Sequence, residues 1–158
     1  NQQTRAGDVF ALGRGLTMDA QPGWGVESGL LTTDEVRGVD TEAVGLTKGG
    51  VSFTVTPGPF RGNARELLGR VEKLDDALGG EKAFHVSSDV ATFHTNQGQR
   101  GVAQAYTTVR GAGVISVLVY AGTGLNIRFT GSSAGMADQA AEVGKMIDSI
   151  RYDEAAAG

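Results

Sequence analysis

The chain has 158 residues, 40% of them hydrophobic and 20% charged, which is the composition of one globular domain with a substantial core. Its net charge of −4, without any run of Lys and Arg, argues against nucleic-acid binding, because phosphate recognition needs clustered basic residues. The absence of cysteine excludes disulfides and thiolate chemistry, and no apolar stretch approaches the roughly 18 residues of a membrane-spanning helix.

We expect a single domain over residues 1–158, with an ordered core over about residues 9–152 and polar tails at both ends. The first half of the chain predicts short strands. Residues 16–20 alternate apolar and polar side chains, and a second short strand is expected over 25–32. Strand-like runs at 42–46 and 51–55 flank Gly49-Gly50, which suits the two-residue loop of a β-hairpin.

The next segment predicts an amphipathic α-helix. Residues 64–78 place apolar side chains at the i, i+3, i+4, i+7 spacing of one helical face. Asn63 stands before them as an N-cap, with Glu66 three residues further on in a capping-box arrangement. Gly79-Gly80 follows as the expected stop at the C-terminal end.

The second half predicts an antiparallel meander, because short Gly-rich connectors, including GAG at 111–113, join consecutive strand-like runs. These runs cover residues 82–94, 101–110, 114–121 and 125–130. The run VISVLVY is apolar on both sides apart from Ser116, so it predicts a central strand covered on both faces.

A second amphipathic helix is expected from about residue 132 to residue 152. With two helices and a central strand that needs cover on both faces, we predict an α+β fold. Its twisted, mainly antiparallel sheet would carry one helix on each face, as a three-layer sandwich.

This order of elements, with the segments QPGW, TNQGQRGVAQAY and MIDSIR, resembles the PsbP-like superfamily over about residues 16–151. Within it the chain is most similar to actinobacterial envelope lipoproteins of the LpqN type. Ten Arg against four Lys, with abundant Ala and Gly, suit a high-GC actinobacterium.

The resemblance implies a non-enzymatic accessory or binding domain outside the cytoplasmic membrane, with no catalytic residues and no cofactor. The expected partner is another envelope protein or a small apolar ligand. Because the lipid-bearing cysteine of such lipoproteins is absent, we expect a lipid or transmembrane anchor encoded before Asn1.

One short motif favours an enzyme instead. Residues 131–135, GSSAG, match the G-x-S-x-G nucleophile elbow, which would make Ser133 the nucleophile of a serine hydrolase. In that fold the catalytic histidine follows the serine, whereas His85 and His94 both precede it. We interpret Ser132 or Ser133 as a helix N-cap, with the hydrolase as the alternative.

The two histidines raise the further alternative of a metal or small-ligand carrier. Their separation of nine places them on opposite faces of a continuous strand, unless Asp89 breaks that strand between them. A zinc site needs three or four ligands, so we predict no metal.

Four residues are candidates for partner binding. Trp24 and Phe60 lie outside the clear periodic patterns, and tryptophan is enriched at interface hot spots. Tyr106 and Arg128 would add a polar patch on a sheet face. The alternatives are that Trp24 packs at the edge of the core and that the others are ordinary surface residues.

Overall fold

Two antiparallel β-sheets and two α-helices form the fold in a computed structural model, which describes residues 2–34, 41–79, 85–86, 89–108 and 111–154. The strands are β1 (Val9–Gly13), β2 (Leu16–Asp19), β3 (Gly25–Ser28), β4 (Leu30–Leu31), β5 (Val44–Lys48), β6 (Val51–Pro59), β7 (His85–Val86), β8 (Ala91–His94), β9 (Arg100–Thr108), β10 (Gly111–Tyr120), β11 (Thr123–Gly131) and β12 (Arg151–Tyr152). The helices are α1 (Ala64–Gly79) and α2 (Ser133–Asp148). Neither helix combines the length and apolarity that crossing a membrane requires.

The large sheet has the strand order β3-β5-β6-β11-β10-β9-β7, and β8 also pairs with β9. Its centre is the predicted meander, in which β9, β10 and β11 pair antiparallel along most of their length. The predicted hairpin around Gly49-Gly50 is confirmed as the pair β5–β6.

The two helices cover opposite faces of the large sheet. Ile115 and Val117 of β10 pack with Leu68 and Val71 of α1, whereas Leu118 belongs to the other core, together with side chains of α2. Both sides of β10 are therefore buried. This arrangement confirms the predicted α+β sandwich.

A small second sheet, β12-β2-β1-β4, was not predicted. It adds Phe10, Leu12, Leu16 and Met18 to the core beneath α2. These four side chains are at most 1% exposed, so the small sheet is an integral part of the hydrophobic core.

The predicted extension of the second helix to residue 152 is wrong. α2 ends at Asp148, because the Ser149 hydroxyl donates to the carbonyl of Met146 and accepts from the backbone N–H of Asp19. The chain then continues as β12, which pairs with β2.

The predicted strand at 25–32 is divided by Gly29, whose φ of 139° few side-chain-bearing residues adopt. Its two halves, β3 and β4, join different sheets. Residues 111–113, predicted as a turn, instead begin β10. Residues 82–84 and 87–88 of the predicted strand at 82–94 lie outside the described residues. Within the rest of that range, β7 and β8 both pair with β9.

Candidate functional site

The start of α1 is fixed by the predicted capping box. The Asn63 side-chain oxygen accepts the backbone N–H of Glu66 at 2.9 Å, and the Glu66 carboxylate accepts the backbone N–H of Asn63 at 3.1 Å. Ahead of the helix, the N–H of Phe60 donates to the carbonyl of Gly122 in the turn between β10 and β11. The first turn of α1 is therefore attached at a defined place on the large sheet.

A cleft of about 550 Å³ opens beside this helix start, between α1 and the strands β9 and β10. We call it the arginine cleft. Its lining residues are Gly62, Asn63, Ala64, Arg65, Arg100, Val102 and Val119. Buried Val102 and half-buried Val119 supply an apolar floor, whereas Arg65 and Arg100 are exposed.

The arginine cleft is electropositive. No acidic side chain is among its lining residues, and the guanidinium groups of Arg65 and Arg100 have no ion pair or hydrogen bond to any residue within the described ranges. The neighbouring Glu66 carboxylate is engaged with the backbone of Asn63. Two guanidinium groups thus face one cavity with their donors available to a ligand.

Phe60, a predicted binding residue, lies next to the arginine cleft. Its half-buried ring rests against Gly62, one of the lining residues. The Arg70 guanidinium lies 5.9 Å from the ring centre, within the range of a cation–π contact. The structure therefore places Phe60 as a support for one wall of the cleft.

Tyr106 and Arg128, also predicted for binding, come together on the α1 side of the large sheet. The Arg128 guanidinium lies 5.9 Å from the centre of the Tyr106 ring, and its Nε donates to Asn126 at 3.3 Å. The ring lies directly over Gly113, where any side chain would collide with it. Tyr106 is only 6% exposed, so mainly Arg128 remains accessible to a partner.

Trp24 does not form a binding edge, which corrects one prediction. The side chain is fully buried and packs edge-on against Phe53, with the ring centres 6.4 Å apart. Its indole N–H donates to the Glu142 carboxylate of α2 at 3.0 Å. The alternative expectation, that Trp24 packs at the edge of the core, fits this position.

Glu142 links Trp24 to Lys48, whose ammonium donates to both carboxylate oxygens at 3.0 Å. The hydrogen bond from Lys48 holds the pKa of Glu142 below its ordinary value of 4.5. Partial burial opposes this shift, and the bond from Trp24 adds to it. The network is structural, because it joins α2 to β5 and to the core.

The serine motif forms a helix cap. Ser132 is the N-cap of α2, and its hydroxyl accepts the backbone N–H of Gly135 at 3.1 Å. Ser133 is the exposed first residue of the helix. Between the two predicted alternatives, the cap is therefore Ser132.

The structure keeps His94 away from Ser133. His94 ends β8, and two residues later the N–H of Asn96 donates to the carbonyl of Asp148, at the far end of α2. At a rise of about 1.5 Å per residue, this helix separates its two ends by roughly 22 Å. No triad of Ser133 with His94 can form in this arrangement.

The histidines are also far from each other, which contradicts a metal site shared between them. His85 pairs with Thr107 and His94 with Arg100, at opposite ends of β9. Seven residues of strand separate these positions by roughly 23 Å. Within the described ranges, no group of three or more His, Asp or Glu side chains is placed to hold a metal ion.

Sequence reasoning did not find the arginine cleft. Arg65 follows the predicted N-cap of a helix, and Arg100 lies 35 residues later in the segment TNQGQRGVAQAY, just before a predicted strand, so no motif links the two. The only available signal was negative: the two arginines have no acidic residue at a helical or cross-strand partner position.

No protein-family model matches the chain, and no curated protein matches it in sequence. Among solved structures, it is similar to the solution structure of cyanobacterial PsbP (CyanoP) from Synechocystis sp. PCC 6803. The TM-score is 0.60 at 14% identity, over 94% of this chain and 97% of that one. A protein from Bacteroides thetaiotaomicron matches with a TM-score of 0.45 and 11% identity, over 95% of this chain and 50% of that one. The similarity to CyanoP confirms the predicted PsbP-like fold.

Proposed function

We propose that this PsbP-like domain is a non-enzymatic binding module of an envelope-anchored bacterial protein, of the LpqN type that its sequence resembles. The observation that carries the proposal is the arginine cleft. It combines an apolar floor with two guanidinium groups that have no partner among the described residues. Such a combination is typical of a ligand-binding site. It contains no side chain suited to act as a nucleophile or as a general base.

The proposal places the domain outside the cytoplasmic membrane, held by a lipid or transmembrane anchor elsewhere in the protein. The support is the resemblance of segments such as TNQGQRGVAQAY and MIDSIR to envelope lipoproteins. A single acyl chain gives only marginal membrane binding, whereas a spanning helix is effectively irreversible. Fractionation of cells that produce the full-length protein tests this location.

In that experiment the full-length protein should sediment with membranes, resist washing with high salt, and be cleaved by protease added to intact cells. A cytoplasmic protein carrying the same epitope tag serves as the control for cell integrity. Recovery in the soluble fraction, protected from protease, would contradict the envelope location.

The non-enzymatic part of the proposal has a separate test. The purified domain should hydrolyse activated acyl esters no faster than a heat-denatured sample. Turnover that Ser133→Ala abolishes while the fold stays intact would establish the hydrolase alternative. The same turnover remaining in Ser133→Ala would indicate a catalytic site elsewhere, and it too would refute a purely binding role.

A further inference from the structure

We infer that the arginine cleft receives an acidic segment of a partner protein, with carboxylate groups bound by Arg65 and Arg100 and an apolar side chain against the floor. This inference rests on the proposed binding function and specifies the chemistry of its partner. It concerns the cleft alone and does not involve Tyr106 or Arg128.

The residues that line the arginine cleft indicate the charge of the ligand that it binds. Two arginines, from α1 and from β9, border one cavity that has no acidic lining residue, in a chain whose net charge is −4. Guanidinium groups present paired donors that match the two oxygens of a carboxylate. An anionic group is therefore the complementary ligand.

The backbone N–H groups at the start of α1 are not the anion-binding part of this cleft. The Asn63 side chain already accepts the N–H of Glu66, and the Glu66 carboxylate would repel an anion placed directly on the first turn. The occupant must instead lie further along the cleft, towards Arg100 and the floor.

An acidic peptide segment fits better than a free small anion. Arg65 and Arg100 are exposed, and single contacts between exposed charges are worth less than about 1 kcal/mol. Binding in such a site needs additional area, which half-buried Val119 offers to an apolar side chain. A chain that alternates acidic and apolar residues, in an extended conformation, supplies both kinds of contact.

The walls of the cleft are preorganised. Arg65 stands on a helix whose start is fixed by a capping box, and Arg100 begins a strand that pairs with β8 and is followed by residues paired with β10. Binding therefore has to order the two arginine side chains and the peptide, but little of the domain's backbone.

The test uses a fluorescein-labelled peptide of alternating Glu and Val and the same peptide with Gln in place of Glu. Fluorescence anisotropy measures their binding to the purified 158-residue domain. We expect the Glu peptide to bind at least about tenfold more tightly than the Gln peptide, with an advantage that declines as salt is added. Equal binding of the two peptides would overturn the inference.

Arg65→Gln/Arg100→Gln should abolish the preference for the Glu peptide. The matched control is Arg5→Gln/Lys73→Gln, which removes the same charge from exposed residues outside the cleft and should keep the preference. Arg65→Lys/Arg100→Lys retains the charge but not the paired donors. Its preference for the Glu peptide should lie between that of the control variant and that of Arg65→Gln/Arg100→Gln. Equal losses in both Gln double variants would show non-specific charge attraction and refute the site.

Titration with dodecanoate separates the peptide from a small amphiphilic anion. Dodecanoate that binds tightly and depends on the two arginines, without binding of the Glu peptide, would overturn the acidic-segment partner while leaving a binding function in place. Absence of Glu-peptide binding, with membrane-bound full-length protein and no esterase activity, would refute only this inference. Tryptophan fluorescence of every variant verifies that it is folded.

Discussion

Replacing Glu142 tests how α2 is held against the rest of the domain. The Glu142 carboxylate accepts the indole N–H of Trp24 and two hydrogen bonds from Lys48. Trp24 is fully buried, so in Glu142→Ala its donor loses the acceptor that the structure supplies. The side chains of Lys48 and Glu142 are each 31% exposed, so their ion pair is partly screened by water.

The expected loss has two parts. A buried donor left without an acceptor costs about 1–3 kcal/mol, and a partly exposed ion pair contributes about 0.2–1 kcal/mol. Glu142→Ala should therefore lower the free energy of unfolding by about 1–4 kcal/mol. Glu142→Gln keeps an oxygen for the indole and loses only the charge, so its loss should stay below about 1 kcal/mol.

Urea unfolding followed by fluorescence measures these differences, because Trp24 is the only tryptophan in the chain. Asp138→Ala, at an exposed position of α2, is the matched control and should change stability by less than about 0.5 kcal/mol. Equal destabilisation of Glu142→Ala and Glu142→Gln would show that the indole N–H of Trp24 does not depend on Glu142 as its acceptor, and the prediction would be wrong.

The same residue predicts a dependence on pH. Because the folded state holds the pKa of Glu142 below 4.5, its ionised form stabilises the fold at and above neutral pH. That contribution declines as the pH falls below 4.5 and is lost once the folded carboxyl is protonated. The stability difference between the unaltered domain and Glu142→Gln should therefore shrink in acid. A difference that grows in acid would contradict the assigned shift.

Three further predictions concern the core, the cap and the C-terminal strand. Ile115→Ala and Leu118→Ala should each lower the free energy of unfolding by about 2–5 kcal/mol, because the side chains are buried on opposite faces; a nearly neutral result at either would mean that its face is open. Ser132→Ala should cost about 1 kcal/mol in urea unfolding and Ser133→Ala much less; the reverse order would contradict the assigned cap. The Gln97 side-chain amide donates to the carbonyl of Tyr152 in β12 and accepts its N–H, so Gln97→Ala should speed amide hydrogen exchange in β12. Unchanged exchange would show that these two hydrogen bonds are dispensable.

The elements with strong periodicity were predictable from the sequence. α1 begins where its capping box indicates, and the apolar run of β10 is covered on both faces as its composition requires. In both cases the signal is local, because helical spacing and two-sided apolarity are properties of consecutive residues.

The small sheet was missed for a physical reason. β1 buries Phe10 and Leu12, but the alternate positions Val9 and Ala11 are also apolar, so its sequence lacks the apolar–polar alternation of a strand with one exposed face. β12 has only two residues, too few for any period, and depends on pairing with β2. Such strands are specified by their neighbours in the folded structure and not by their own sequence.

The candidate site was less accessible to prediction than the fold. The burial of Trp24 depends on α2 supplying Glu142, 118 residues further along the chain. The approach of Arg65 to Arg100 depends on how α1 docks across β9 and β10. Phe60 and Arg128 were chosen for their residue type, which did not indicate that Phe60 would contact Arg70 or that Arg128 would contact Tyr106.

The pairing of β12 with β2 also constrains the order in which the chain acquires its structure. Arg151 lies opposite Thr17, so the small sheet closes only when segments from near both ends of the chain meet. Contacts of such long range form late and slow the folding of a domain. During synthesis from the N-terminus, Phe10, Leu16 and their neighbours would stay without their full cover until Met146 and Ile150 had emerged. The nascent domain therefore exposes this apolar surface until α2 and β12 have left the ribosome, and its core can be completed only after that point.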